Sequence, residues 1–136
     1  MIRWLREIEV RAMHLELIAD QGGMQVIRSP ELLDSALARP RNLAAYGAPN
    51  LAELAASYAF GIARNHPFVD GNKRVALTCA AVFLDLNGWE LIASQEDAVI
   101  TFLSLAAGEL GEHQLAEWIN ANLSAKRPKT ISASAD

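Results

Sequence analysis

The sequence predicts an all-α fold, a bundle of about six helices, and three observations predict it. Hydrophobic residues make up 51% of the chain but aromatics only 7%, because Ala and Leu are abundant, and these are helix formers rather than strand formers. Apolar residues recur at three- and four-residue steps in most segments. Helix start and stop residues punctuate those segments. At 136 residues the chain fits one domain.

In the first segment Leu5, Ile8, Ala12, Leu15 and Ile18 are spaced to share one helical face, and Gly22 and Gly23 end the helix. His14 is expected on the polar side of this helix. A second, short helix is expected from Pro30 to Ala38: Ser29 can cap it, Pro30 suits its first position, and Pro40 stops it. Residues Arg39 to Asn50 carry two prolines, a glycine and two asparagines around Leu43 and Tyr46, the composition of an exposed loop or short hairpin. Asn50 with Glu53 forms a capping-box pattern that opens a third helix, LAELAASYAFGIAR, running to Arg64. Gly61 within it is unfavourable by about 1 kcal/mol relative to Ala unless close helix packing needs the missing side chain.

The run VALTCAAVFLDL is apolar nearly all round, the mark of a helix buried among others, and Asn87 and Gly88 end it. Ser94 with Asp97 opens a helix that closes near Gly108. Gly111 to Leu123 supplies the last one, with Leu115, Trp118, Ile119 and Leu123 inward. The domain is expected to span residues 1–124, and the polar tail 125–136, lacking any apolar period, to be disordered. Trp4, Trp89 and Trp118 stand in unrelated contexts and are read as packing residues, His113 as a surface residue, and the KRPK of the tail as solvated.

The formal charge of −4 offers no broad cationic field for a nucleic-acid backbone, so direct nucleic-acid binding is not expected. Cys79, the single cysteine, cannot form an internal disulfide and lies in an apolar run, so it reads as a small buried hydrophobe in a reducing compartment. Charges throughout MIRWLREIEV exclude a secretory core, and the longest apolar stretch falls far short of the ~20 residues that span a bilayer. A soluble, cytoplasmic protein without a membrane contact is expected.

Chemistry concentrates in RNHPFVDGNKRVAL, where one helix ends, a tight loop follows, and the buried helix begins near Asn72 or Lys73. A helix start binds anions well, since its first N–H groups lack intrahelical acceptors and its dipole is positive there. Gly71 lets the backbone turn and approach a ligand closely. Lys73 and Arg74 can neutralise phosphate charge, and Asn72 can donate without adding charge. Asp70 offers the hard oxygen that Mg²⁺ prefers beside nucleotide phosphates. His66 is the side chain suited to accept a hydroxyl proton near neutral pH. Phe68 reads as an apolar anchor of the loop. Arg64 and Asn65, just before His66, suit either loop orientation and phosphate contact or stabilisation of the helix C-terminus.

The string HPFVDGNKR resembles the Fic family's HPFx(D/E)GNGR and, more closely, the HxFx(D/N)xNKR of its death-on-curing (Doc) branch. The resemblance extends from about Ile8 to Leu123, through IRSPELLDSALARPR, YGAPN and LAELAASYAFGIARN. It implies a compact helical bundle with a short flap beside the active-site loop, a flap that aligns a target segment by strand addition; Arg39 to Ala48 takes its position in this reading. It further implies that His66 is the general base on a target hydroxyl, that Asp70 holds Mg²⁺, and that Gly71, Asn72 and Arg74 bind the phosphates of ATP or another nucleoside triphosphate, with Arg74 countering charge during transfer. Lys73 departs from the glycine of AMP-transferring members. In the Doc branch this lysine accompanies a reversed nucleotide and phosphorylation of the target, a threonine of elongation factor Tu, which halts translation.

The resemblance thus implies a toxin of a toxin–antitoxin pair. No glutamate in the chain is followed by Gly or Asn, so the family's inhibitory (S/T)xxxE(G/N) helix is missing, and inhibition is expected from an antitoxin whose C-terminal segment folds across the cleft. AMP transfer is the second reading. A catalytically silent module that only binds an antitoxin is the third, and the intact His66, Asp70, Asn72 and Arg74 speak against it.

Overall fold

The computed structural model describes residues 1–126, and the expected disorder of the tail beyond them falls outside the described residues. Six helices follow one another: α1 (Glu7–Gln21), α2 (Pro30–Tyr46), α3 (Leu51–Asn65), α4 (Asn72–Leu86), α5 (Gln95–Ala106) and α6 (Glu112–Ala121). Two three-residue strands, β1 (Trp89–Leu91) and β2 (Leu123–Ala125), pair antiparallel with Glu90 opposite Ser124. The all-α reading holds. The strands are too short for alternation to announce them, and β2 takes Leu123 out of the last helix and Ala125 out of the polar tail.

Helix α3 is the axis of the bundle. Its small residues Ala52, Ala55, Ala56, Ser57, Ala59, Gly61 and Ala63 are all buried, which lets α2, α4, α5 and α6 pack around it. Asn50 and Glu53 form the expected capping box at its start. Gly61 has the packing reason anticipated for it: a Cβ there would lie 3.0 Å from Arg39 Cδ and 3.3 Å from Ala36 Cα. The backbones of α2 and α3 touch at that point.

That contact also corrects the reading of Arg39 to Asn50 as a loop or hairpin. Helix α2 runs through Pro40 to Tyr46. An internal proline lacks the N–H that would bond Ala36 and is unfavourable in a helix by about 3 kcal/mol. Burial of Leu33, Ala36, Leu37 and Pro40 offsets it, together with Arg39, which lies over the Phe60 ring of α3 at 5.5 Å and pairs with Glu112 of α6. Tertiary packing overrides the local stop signal, and Arg39 to Ala48 is not the flap.

Helix α1 is rotated from its expected setting. Its buried residues are Val10, His14 and Ile18, while Ile8 and Leu15 are exposed. Trp4, Trp89 and Trp118 pack against the core as expected; Trp118 meets Phe102 edge-on at 6.1 Å and donates its indole N–H to Asp97. Cys79 is fully buried, and burial pushes its thiol up to about 12. Among the described residues no helix is long and apolar enough to cross a membrane.

Candidate active site

Helix α3 stops because His66 adopts φ 47°, ψ 58°, the one positive φ outside glycine among the described residues. A left-handed residue with a Cβ is unfavourable by roughly 1–2 kcal/mol, and His66 holds this conformation although it precedes Pro67. The turn is held by neighbours: the His66 N–H reaches Ile62 O at 3.1 Å, and the Arg28 guanidinium donates to the carbonyls of both His66 and Asn65 at 2.7 Å. Asn65 in turn donates its amide to Leu32 O at 3.0 Å. The outcome is an exposed His66 on a fixed turn.

Beyond the turn the loop runs against an extended segment after α1. Arg28 N–H donates to Pro67 O at 2.7 Å, Val69 N–H donates to Val26 O at 3.0 Å, and Ile27 faces Phe68 in an antiparallel bridge. Phe68 is 1% exposed, the apolar anchor expected of it. Asn72 closes the loop over Phe68: its Oδ1 accepts the Phe68 N–H at 3.0 Å while its Nδ2 donates to Phe68 O at 2.8 Å. Much of its hydrogen-bonding capacity therefore shapes the loop, leaving one side-chain N–H and the main chain to face a ligand.

His14, expected at the surface, is instead 2% exposed and lies beneath the loop. Its ring stacks on Phe68 with centroids 3.9 Å apart and planes 13° apart, and its Nε2–H donates to the Asp70 carbonyl at 2.8 Å. A Cβ on Gly71 would lie 3.5 Å from the His14 ring and 3.2 Å from Ile18. Gly71, at φ 87°, ψ 9°, thus turns the chain into α4 while lying flat on α1. Asp70 points its carboxylate back across the loop, with Oδ2 accepting the Met24 N–H at 2.8 Å. No signal in the sequence marked His14; its burial depends on which face of α1 is chosen.

Helix α4 begins differently from the other five. Ser29, Asn50 and Ser94 cap α2, α3 and α5, and Glu9 and Gln114 accept main-chain N–H groups at the starts of α1 and α6. Each of those five also has an acid in its first turn. Helix α4 has neither, and its first turn carries Lys73 and Arg74 instead. Its leading N–H groups and positive dipole end are uncompensated, the state in which an anion binds best.

Arg74 reaches Gln21 at the end of α1, Nη1 to Oε1 2.9 Å. Gln21, Lys73 and Arg74 form the polar rim of a cleft of about 480 Å³ whose other walls are Leu77, Val99 and Phe102. That volume is in the range of small-ligand sites. His66, Asp70, Gly71, Asn72, Lys73 and Arg74 therefore come together on one short loop and the start of one helix, with the cleft adjoining the two cations.

Asp70 offers a single carboxylate, and no group of three or more His, Cys, Asp or Glu side chains capable of holding a metal stands among the described residues. Such a donor set does not cage an ion. It fits Mg²⁺ that arrives with phosphate and water ligands and accepts one protein oxygen.

A family model described as Fic/DOC family matches residues 4–84. Among relatives, "Toxin Doc" of Mycolicibacterium smegmatis is 45% identical over 75 residues, 53% of this chain and 57% of that protein. "Protein kinase doc" of Escherichia phage P1 is 32% identical over 117 residues, 85% of this chain and 92% of that protein. The match thus spans little more than half of the first relative and nearly all of the second.

Proposed function

This chain belongs to the Fic/DOC family, and from that premise we propose that it is a Doc-like toxin, a kinase that moves the γ-phosphoryl group of a nucleoside triphosphate to a protein hydroxyl. The observation that carries this reading is the start of α4, uncapped, free of acids and bearing Lys73 and Arg74, set one short loop from an exposed imidazole.

In this reading the main-chain N–H groups of Gly71 to Lys73 and the remaining amide N–H of Asn72 bind phosphate oxygens. Lys73 and Arg74 add charge, Arg74 with its direction set by Gln21. His66 takes the proton from the incoming hydroxyl, whose oxygen bonds to the γ-phosphorus as the bond to the β-phosphate oxygen breaks and a nucleoside diphosphate leaves. Asp70 would hold Mg²⁺, which when bound neutralises charge on the phosphate oxygens. ATP is the expected nucleotide, and a threonine of elongation factor Tu the expected target.

The extended segment Met24 to Ser29 supports strand addition by a target. Arg28 N–H and Val26 O face the motif loop, so the N–H and C=O of Ile27 point to the opposite edge. This segment takes the role that the sequence reading gave to Arg39 to Ala48. Val99, Ile100 and Leu103 leave an exposed apolar strip on α5 beside the cleft, a surface suited to the C-terminal segment of an antitoxin.

Incubation with bacterial lysate and ATP labelled at either the γ or the α phosphate tests the reaction. Label should move from the γ position and not in His66→Ala. Transfer from the α position alone would refute phosphorylation and establish AMP transfer.

A further inference from the structure

Three consecutive carbonyls at the exit of α3 accept hydrogen bonds from one residue. Arg28 donates Nη2–H to Asn65 O and Nε–H to His66 O, each at 2.7 Å, and its main-chain N–H to Pro67 O at 2.7 Å. The carbonyls at a helix C-terminus have no intrahelical donors, and a guanidinium fork there meets both that need and the negative end of the dipole. His66 is the residue so held, and it is the one non-glycine residue with positive φ among those described.

We propose that Arg28 is a positioning residue for the reaction: its guanidinium fixes the left-handed turn at His66 and so sets where the imidazole stands relative to a docked hydroxyl. The inference rests on the reading of His66 as general base. Arg28 belongs to the extended segment whose outer edge is open to a target strand, so the residue that holds the base is also part of the surface that holds the substrate. A lysine at this place would keep the charge and lose the fork, since one ammonium is a point donor and cannot match two carbonyls with fixed geometry.

The test compares Arg28→Met, Arg28→Lys and His66→Ala with the parent protein. Arg28→Met should lower kcat for γ-phosphoryl transfer by roughly ten- to a hundredfold, the scale of a misplaced reacting group, and leave the KM for ATP within about twofold. Arg28→Lys should restore only part of the loss. Independently of activity, the ¹⁵N-imidazole resonances of His66 in the nucleotide-free protein should move in Arg28→Met while those of His113 stay. An inactive His66→Ala beside an Arg28→Met of unchanged kcat would overturn the proposal, as would unmoved His66 resonances or full rescue by lysine. Transfer surviving in His66→Ala would instead sink the base assignment, with the resonance shift still reporting on the turn.

Discussion

Replacing His14 by phenylalanine isolates one hydrogen bond under the motif loop. The new ring can still stack on Phe68, where the imidazole sits at 3.9 Å and 13°, and it still fills the space under Gly71. What vanishes is the Nε2–H donated to the Asp70 carbonyl at 2.8 Å. A net hydrogen bond contributes about 1 kcal/mol, and a carbonyl left half-buried without a donor adds to the loss, so about 1–2 kcal/mol is expected. Unfolding entropy near 2.1 cal/mol/K per residue gives about 0.3 kcal/mol/K for a chain of 136 residues, so Tm should fall by roughly 3–7 °C. His14→Ala also forfeits the stack and opens a cavity, and should lose about 2–4 kcal/mol. Scanning calorimetry measures both, and hydrogen exchange at the bonded amides of Phe68, Val69 and Val75 locates the effect, since those protons should exchange faster in His14→Phe. Equal melting of His14→Phe and the parent, with unchanged exchange, would refute the assignment of that bond.

Two further outcomes follow from packing and burial. Gly61→Leu should destabilise the protein by about 1–3 kcal/mol in denaturant titration despite leucine's better helix propensity, because its Cβ would press Ala36 Cα at 3.3 Å and Arg39 Cδ at 3.0 Å. Cys79 has its thiol raised from an ordinary 9.0 to about 12, so the native state keeps a proton that the unfolded chain loses. That stabilisation is fully present below about pH 9 and is lost as pH rises toward about 12, up to roughly 4 kcal/mol in all. Stability measured by urea titration across this window should fall less steeply in Cys79→Ala.

The motif loop and the elements that flank it were legible because their signals are local. Asn50 with Glu53, Ser94 with Asp97, and Gly88 act through neighbours three residues away or through their own backbone. Helix α1 was misread because Ile8, Val10, Met13, Leu15, Leu17 and Ile18 spread apolar surface over more than one face, so periodicity alone does not choose the buried one. With the wrong face chosen, His14 went to solvent. The sequence places the end of α2 too early because Pro40 is a stop signal in isolation, and only the packing of Ala36 against Gly61 and the reach of Arg39 to Phe60 and Glu112 show why the helix continues. Arg28 was invisible for the same reason, since its partners lie 37 and 38 residues away.

The bonds that shape the loop set a limit on its portability. His14, Met24 and Arg28 grip it from 56, 46 and 38 residues away, outside the nine letters HPFVDGNKR. Grafting those letters between two helices of an unrelated bundle would transplant the proposed reactive groups without the struts, and the His66 imidazole and the start of α4 would no longer be held in register. A successful transplant has to carry the second half of α1 together with the extended segment that continues from it, so the smallest movable unit is two stretches of chain, residues 14–29 and 65–74.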